Sequence, residues 1–159
     1  WLAGRPARWL KKRVPMKTFR MRQEDVVREW HHIDATNQIL GKLAVRVATL
    51  LMGKHRPTFT PGVDTGDFVV ITGAERVTVT GGKDGKKVYR RYTGWIGGLV
   101  EESYEDLQQK KPEKIIELAV RRMLPKNRLG RQMFGRLKVY AGDEHPHTAQ
   151  KPQTMTLSK

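Results

Sequence analysis

The sequence contains no cysteine and no long uninterrupted apolar run. The missing cysteine excludes disulfide bonds and thiolate metal sites, and it fits a reducing compartment. A membrane-spanning helix needs about 20 mostly apolar residues. The longest helical apolar pattern, at residues 40–52, is interrupted by Lys42 and Arg46. We therefore expect no membrane partner.

Acidic residues are missing from two long stretches of the chain. Residues 1–22 contain eight Lys or Arg and residues 118–142 contain seven, with no Asp or Glu in either stretch. The whole chain has 31 Lys and Arg against 16 Asp and Glu, a formal net charge of +15. Such an excess repels itself in the folded state unless an anionic partner relieves it. Nucleic acid is the leading candidate for that partner.

Familiar motifs for catalysis and cofactor binding are also missing. The chain has no dinucleotide-binding fingerprint, and residues 81–87 fall one position short of a P-loop and lack its Ser or Thr. No zinc-finger, RNP or basic-zipper spacing is present. His145 and His147 flank a proline without a third ligand nearby, which favours a surface loop over a metal site. We predict no cofactor, no metal and no small-molecule substrate.

One carboxylate pair remains as a candidate for chemistry. Asp64 and Asp67 lie in a loop on either side of Gly66. Such a pair can serve general acid–base catalysis, or hold a metal in a nucleic-acid-processing enzyme. Short acidic side chains in loops more commonly cap turns. No set of nucleophile, base and orienting residue accompanies the pair, so we predict that the protein is not an enzyme.

What the sequence does contain is the pattern of one α/β domain. Its 159 residues, 38% of them hydrophobic, suit a single domain with a real core. Residues 40–52 place apolar side chains at helical spacing and are followed by Gly53, a natural helix terminus. Residues 68–72 form a continuous apolar run, as a strand buried on both faces does. The order of elements favours α/β layers with at least part of the sheet parallel.

The other predicted elements place this domain at residues 23–142, between a basic extension (1–22) and a polar tail (143–159). Further strands are predicted at residues 29–33, 77–80, 86–92 and 138–141, and the 86–92 strand reads as an exposed basic hairpin arm. Further helices are predicted at residues 103–110, 112–124 and 128–137. The tail is predicted to be irregular.

The basic extension permits two interpretations. A flexible basic tail is one, and an organelle transit peptide is the other, because transit peptides are basic and poor in acidic residues. The segment has little Ser and no clean amphipathic run, which weighs against the second. Met16 reads as a possible original start, which would make residues 1–15 an added extension.

Basic residues fall in four clusters, at residues 1–22, 54–56, 83–91 and 121–138. Arginine forks match phosphate geometry, and contacts with the nucleic-acid backbone supply most sequence-independent affinity. The 54–56 cluster follows a helix end, where cations also complement the helix dipole. Tyr89, Tyr92 and Trp95 are interleaved with Arg90 and Arg91, so these aromatics either stack on unpaired bases or pack in the core.

Several motifs in the right order carry a family resemblance. Residues 120–142, VRRMLPKNRLGRQMFGRLKVYAG, look like a family signature, and GKHR at residues 53–56 and TGWIGG at residues 93–98 support it. From about residue 16 to residue 153, the chain resembles the bacterial-type large-subunit ribosomal protein thirteen (uL13) family. The departures are residues 1–15 and Asn127-Arg128, where the family often has Gly-Pro.

The resemblance implies a three-layer α/β/α fold with a four-stranded, mainly parallel sheet. It implies a structural protein of the large ribosomal subunit that binds 23S-type rRNA and neighbouring ribosomal proteins and acts early in subunit assembly. It implies no catalysis and a cytoplasmic ribosome in preference to an organellar one.

The basic clusters and the resemblance together give a set of predicted RNA contacts. They are Lys54, His55, Arg56, Lys86, Arg90, Arg91, Arg121, Arg122, Lys126, Asn127, Arg128, Arg131, Arg136 and Lys138.

Overall fold

A computed structural model describes residues 19–156 of the chain. Most of the predicted basic extension lies outside these residues. The elements, in order, are β1 (Trp30–Asp34), α1 (Leu40–Met52), β2 (Phe68–Thr72), a 3-10 turn (Ala74–Arg76), α2 (Lys83–Lys86), β3 (Val88–Tyr92), β4 (Leu99–Ser103), α3 (Tyr104–Lys110), α4 (Pro112–Met123), α5 (Arg128–Phe134), β5 (Leu137–Val139) and β6 (Gln153–Met155).

Four of the strands form one sheet in the order β5-β2-β1-β6, and every neighbouring pair is parallel. The central strand pair aligns His31 with Val69 and Ile33 with Ile71. These four side chains are fully or almost fully buried, which explains the continuous apolar run predicted for β2. The predicted α/β class with a four-stranded parallel sheet is confirmed.

Helix α1 connects β1 to β2 and forms the centre of the helical layer. Its apolar stripe is buried, and Leu43, Val47 and Leu51 have no exposed surface. The helix ends as predicted at Gly53, whose φ of 77° lies in the left-handed region that glycine adopts readily. Since α1 links two parallel strands, it runs back against them, and its last turn lies at the edge where the strands begin.

The other face of the sheet is covered by the chain that follows β5. Trp30 and Phe68 stack there with ring centroids 4.4 Å apart, and His147 packs against Trp30 at 5.2 Å. His145 lies 5.1 Å from His32 on the same face. The sheet therefore lies between a helical layer and a layer made by the segment after β5.

The predicted irregular tail is wrong at Gln153–Met155. This segment forms β6, which pairs with β1 at the edge of the sheet. Its three residues are too few to show an apolar alternation, so β6 depends on the free edge that β1 offers.

The predicted strand at residues 77–80 is also wrong. There the chain forms a single parallel bridge between Ile39 and Thr78. Polar backbone groups are satisfied by that bridge, because Thr78 donates its N–H to Gln38 and accepts one from Leu40. Val77 is buried without belonging to a strand.

The predicted basic hairpin arm is confirmed as β3. It pairs antiparallel with β4, which aligns Arg90 with Glu101 and Tyr92 with Leu99. Strand β4 was not predicted, because it follows two glycines and mixes acidic with apolar residues. Within residues 19–156, no helix combines the length and apolar character that crossing a membrane requires.

Helices α4 and α5 meet at a tight corner that depends on Gly130. A Cβ atom at this position would lie 1.8 Å from the backbone oxygen of Pro125. Gly41 in α1 is the matched contrast, because a Cβ atom there would meet nothing within 4 Å. The corner thus requires a residue without a side chain, whereas α1 does not.

We expect Gly130→Ala to lower the free energy of unfolding, because the backbone must shift to admit the methyl group. This loss should be several times larger than the gain from the higher helix propensity of alanine. Gly41→Ala should be neutral or stabilising by up to about 1 kcal/mol, because alanine favours a helix. Urea denaturation of both variants checks this. Equal effects would contradict the assigned corner.

Candidate nucleic-acid interface

The corner between α4 and α5 presents cations on a rigid frame. Pro125 follows the end of α4, and Asn127 caps α5 by accepting the N–H of Gly130 at 2.8 Å. This capping role explains why asparagine suits position 127. Lys126 and Arg128 flank it and are exposed.

Many of the predicted contact residues point outward and have no acidic neighbour. Within residues 19–156, no ion pair with Asp or Glu involves the exposed cations Lys54, Lys86, Arg91, Arg121, Arg122, Lys126, Arg128, Arg131 and Lys138. Their charges are thus available to an external anion.

Two basic clusters that are separate in sequence come together in the fold. Lys87, at the base of the hairpin, lies close enough to Arg122 on α4 for the two charges to interact. Burial, together with the Arg122 charge, lowers the pKa of Lys87 below its usual value. The 83–91 and 121–138 clusters therefore approach each other at Lys87 and Arg122, and their exposed cations together are called the cationic surface.

Other predicted contact residues form ion pairs with acidic residues of the same chain. Arg136 is only 7% exposed and forms a two-pronged ion pair with Asp64, with Nη2 also donating to the Leu51 carbonyl at 3.2 Å. Arg56 donates to Asp67 at 2.6 Å. Arg90 on the hairpin pairs with Glu101 at 2.5 Å. These three guanidinium groups have less capacity for an outside partner than the unpaired cations have.

Asp64 and Asp67 lie at the edge where the parallel strands begin. Asp67 is fully buried just before β2 and accepts the backbone N–H of Glu29, just before β1, at 3.0 Å. Asp64 pairs with Arg136, just before β5, and its carboxylate lies 3.8 Å from Arg28. The two aspartates therefore connect the starts of β1, β2 and β5.

Electrostatic partners keep the Asp67 carboxylate ionised despite its burial. Burial alone raises its pKa. Hydrogen bonds from His31 and the Glu29 N–H, with the charges of Arg56 and His55, outweigh burial and lower the pKa below its usual value. The carboxylate is thus a permanent anion in the folded state at neutral pH.

Asp67 also meets two imidazoles in a grouping that resembles a metal site. His31 Nε2 and His55 Nε2 lie 3.2 and 2.9 Å from the same Asp67 oxygen, and ligand atoms of all three residues lie within 4.8 Å of one another. However, the other Asp67 oxygen already binds Arg56, whose positive charge opposes a nearby cation. The geometry favours a hydrogen-bonded network over a metal centre.

The hairpin divides its aromatic residues between core and surface. Tyr89 is only 7% exposed and has Lys87 Nζ 4.9 Å from its ring centre, and burial raises its pKa. In contrast, Tyr92 is 65% exposed and Trp95 is 80% exposed. Both interpretations of the aromatics therefore have a place: Tyr89 packs in the core, while Tyr92 and Trp95 are open to a partner.

Comparison with known proteins now identifies the family. A family model described as "Ribosomal protein L13" matches residues 28–146. The chain belongs to the ribosomal protein L13 family. The match spans the sheet strands β1, β2 and β5, the hairpin and the α4–α5 corner, so the whole cationic surface lies on the family's own fold.

Curated members of the L13 family match most of this chain. A protein from Alcanivorax borkumensis, named large ribosomal subunit protein uL13, is 54% identical over 142 residues, covering 89% of this chain and 100% of its own. The protein of that name from Legionella pneumophila is 52% identical and covers 91% of this chain and 100% of its own. The one from Natranaerobius thermophilus is 57% identical and covers 86% and 95%.

Membership settles the question left open by the two aspartates. L13 proteins are structural ribosomal proteins, and this chain is likewise not an enzyme. Asp64 and Asp67 serve to hold the fold together. No sequence signal indicated these ion pairs, because Arg56 and Arg136 approach the aspartates only after folding.

We expect Arg136→Met to lower the free energy of unfolding by about 3–5 kcal/mol, because it leaves the buried Asp64 charge without its main partner. Asp143→Asn breaks the exposed pair with Arg76 and should cost less than about 1 kcal/mol. Denaturant titration measures both. A loss for Arg136→Met no larger than that for Asp143→Asn would show that the buried pair does not stabilise the fold.

Stability should also fall as the solution becomes acidic. Burial, followed by the nearby His145 charge, lowers the pKa of His32 from 6.5, while Asp34 partly opposes this. Burial also lowers the pKa of His55 from 6.5, against the opposing charge of Asp67. The unfolded chain then binds protons more readily than the folded chain. The stability that the two neutral histidines contribute is therefore fully present above about pH 6.5, and it is lost as the pH falls through their lowered pKa values.

We therefore expect the free energy of unfolding to decrease from about pH 7 to pH 5. The lowered pKa values of Asp34 and Asp67 should add a second loss below about pH 4. Denaturation across this range tests the sign. His32→Gln should flatten the first decrease, whereas a slope unchanged in this variant would exclude His32 as a source.

Proposed function

We propose that the protein is a structural constituent of the large ribosomal subunit, that it binds 23S-type rRNA directly, and that it supports early subunit assembly. The observation that carries this proposal is the cationic surface, whose exposed lysines and arginines lie on a fold of the L13 family and mostly lack acidic partners among residues 19–156. The relatives with the name large ribosomal subunit protein are bacterial, which supports a cytoplasmic ribosome as the location.

The RNA-binding surface runs from the base of the hairpin to the α4–α5 corner. Lys86 and Arg91 lie on the hairpin side, and Arg122 on α4 joins them to Lys126 and Arg128 at the corner. Each cation that neutralises a phosphate releases counterions, which supplies affinity without sequence readout. Arginine adds two-pronged contacts with phosphate oxygens.

The internal ion pairs rank the predicted contacts. Arg136 stabilises the fold and acts on RNA only by holding the corner in place. Arg56, His55 and Arg90 have partners in Asp67 and Glu101, so each makes a weaker RNA contact than Arg128 or Lys126. This ranking is a physical refinement of the predicted contact set.

The tip of the hairpin fits a contact with a neighbouring ribosomal protein. Trp95, Ile96 and Leu99 are all more than half exposed and form an apolar end on a projecting element. In the middle of the β3–β4 ladder the charge of Arg90 is balanced by Glu101. Exposed aromatic and aliphatic side chains beside a balanced charge suit a protein interface more than a polyanion.

An assembly role follows from rigidity as well as charge. The cations at the corner are carried by two helices whose junction is held by the Asn127 cap and the close approach of Gly130 to Pro125. A preformed surface of this kind loses little conformational freedom on binding. It therefore selects one arrangement of RNA segments early, before other proteins join.

We expect the protein to cosediment with large ribosomal subunits at moderate salt and to bind in-vitro-transcribed large-subunit rRNA. Arg128→Gln and Lys126→Gln should each weaken binding and reduce the slope of log affinity against log salt by about 1, because each removes one phosphate contact. Filter binding across a salt series measures both quantities.

Arg76→Gln is the matched control for this experiment. Arg76 is an exposed cation already paired with Asp143, and it lies outside the proposed surface. Its substitution should leave the salt slope almost unchanged. Failure of the wild-type protein to bind rRNA and to sediment with large subunits would refute the proposed function.

A further inference from the structure

The α4–α5 corner contains an open-sided groove of about 490 Å³. Its lining includes the cations Arg121, Lys126 and Arg131 and the apolar side chains of Leu124 and Phe134. Its volume falls within the range of about 300–1,000 Å³ that is typical of small-ligand sites. No acidic residue contributes to the lining.

The groove combines two kinds of surface. Leu124 is only 5% exposed, and it contributes to an apolar floor with the half-buried ring of Phe134. Arg121, Lys126 and Arg131 are exposed around it, and none of them pairs with an Asp or Glu among the described residues. The three cations therefore lack an acidic partner, while Leu124 and Phe134 pack against the core and Phe134 stays partly exposed in the groove.

Local chemistry explains why the groove exists. The Asn127 side chain holds the first turn of α5, and Gly130 lets that turn approach the Pro125 carbonyl. A side chain at position 130 would enter this junction. The groove is thus part of the folded corner and does not require a ligand to open it.

The apolar floor and the surrounding cations together restrict the class of ligand that the groove can bind. A phosphate alone would satisfy the cations but would leave the ring of Phe134 uncovered. An apolar peptide would cover the ring but leave three cations without counter-charge, which is unfavourable once water is excluded. A nucleotide has both an anionic group and a flat ring that stacks on aromatic side chains.

We propose that the groove holds a single unstacked nucleotide of the bound RNA, with its phosphate contacted by Arg121, Lys126 and Arg131 and its base packed against Phe134. This inference rests on the proposed rRNA binding and adds a defined site for one base to it. The corner would then recognise an RNA nucleotide that projects from a base-paired helix, in addition to the phosphate charge of the RNA.

Other surface features do not fit the same ligand. The depression at residues 81–87 is lined by Gly81, Gly82, Lys83, Lys86 and Lys87, so it offers charge without an aromatic ring. The hairpin tip offers Trp95 but projects outward and cannot enclose a base. Of these three features, only the groove supplies both surfaces in one concave place.

Base-specific and backbone-specific footprinting on the same complex tests the proposal. Full-length protein and in-vitro-transcribed large-subunit rRNA are treated with dimethyl sulfate and a carbodiimide, which modify base edges, and separately with hydroxyl radicals, which cleave the backbone. The variants are Phe134→Leu, Arg131→Gln and the control Arg76→Gln. Thermal unfolding of each variant confirms that it is folded.

We expect wild-type protein to shield one unpaired base within the backbone footprint. Phe134→Leu should restore the reactivity of that base and weaken binding by about tenfold, because it removes the stacking surface. Its salt slope should not change, since no charge is lost. Arg131→Gln should reduce both the base protection and the salt slope, and Arg76→Gln should change neither.

The possible results separate the two proposals. If wild-type protein gives a backbone footprint but no base protection, or if Phe134→Leu leaves that protection intact, the nucleotide site is refuted and the rRNA-binding proposal stands. If wild-type protein gives no footprint at all, rRNA binding itself is refuted. Because Arg131 is exposed, Arg131→Gln remains a decisive variant even if Phe134→Leu unfolds.

Discussion

Two buried aspartates at one edge of the sheet hold the structure together. Asp67 binds Arg56 and accepts the backbone N–H at the start of β1, while Asp64 binds Arg136 at the start of β5. Parallel strands all begin at the same edge, so a few carboxylates placed there reach every central strand at once. In a chain of net charge +15, such buried anions also counter repulsion near the core.

This network divides the basic residues into two groups. Arg56 and Arg136 satisfy the internal anions, which frees the remaining cations to face outward. Arg121, Arg128 and Arg131 then stand on helices whose positions depend on the interior pairs. The surface charge and the stability of the fold are thus coupled: a change at Asp64 would remove the partner of Arg136 without altering any residue of the cationic surface.

Local patterns predicted the parts of the fold that are locally determined. Helix α1 matched its predicted bounds, and β1 and β2 matched within a residue, because buried side chains recur at regular spacing. Strand β6 was missed because its partner β1 is distant in the sequence, and β4 was missed because it mixes acidic with apolar residues after two glycines. Arg136 fell within the helix predicted at residues 128–137, but α5 ends at Phe134, so Arg136 lies beyond the helix and its side chain is buried. For the same reason, its buried partner Asp64 could not be foreseen.

The groove at the α4–α5 corner was also only partly predictable from the sequence. The cations of the corner were visible as a stretch without acidic residues, and the proline marked the break between helices. The concave shape of the groove was not predictable, because it depends on Gly130, which lets α5 approach Pro125 closely.

The pairing of β1 with β6 has a consequence for synthesis of the chain. His31 pairs with Gln153, so one edge of β1 stays unpaired while more than 100 further residues are synthesised. At about 5–20 residues per second, that delay is on the order of 10 s. During this interval the edge of β1 is open to intermolecular pairing, and the exposed stack of Trp30 and Phe68 lacks its cover of His147. Completion of the sheet is therefore a late event in the life of the nascent chain, and prompt capture by RNA or a chaperone would protect it.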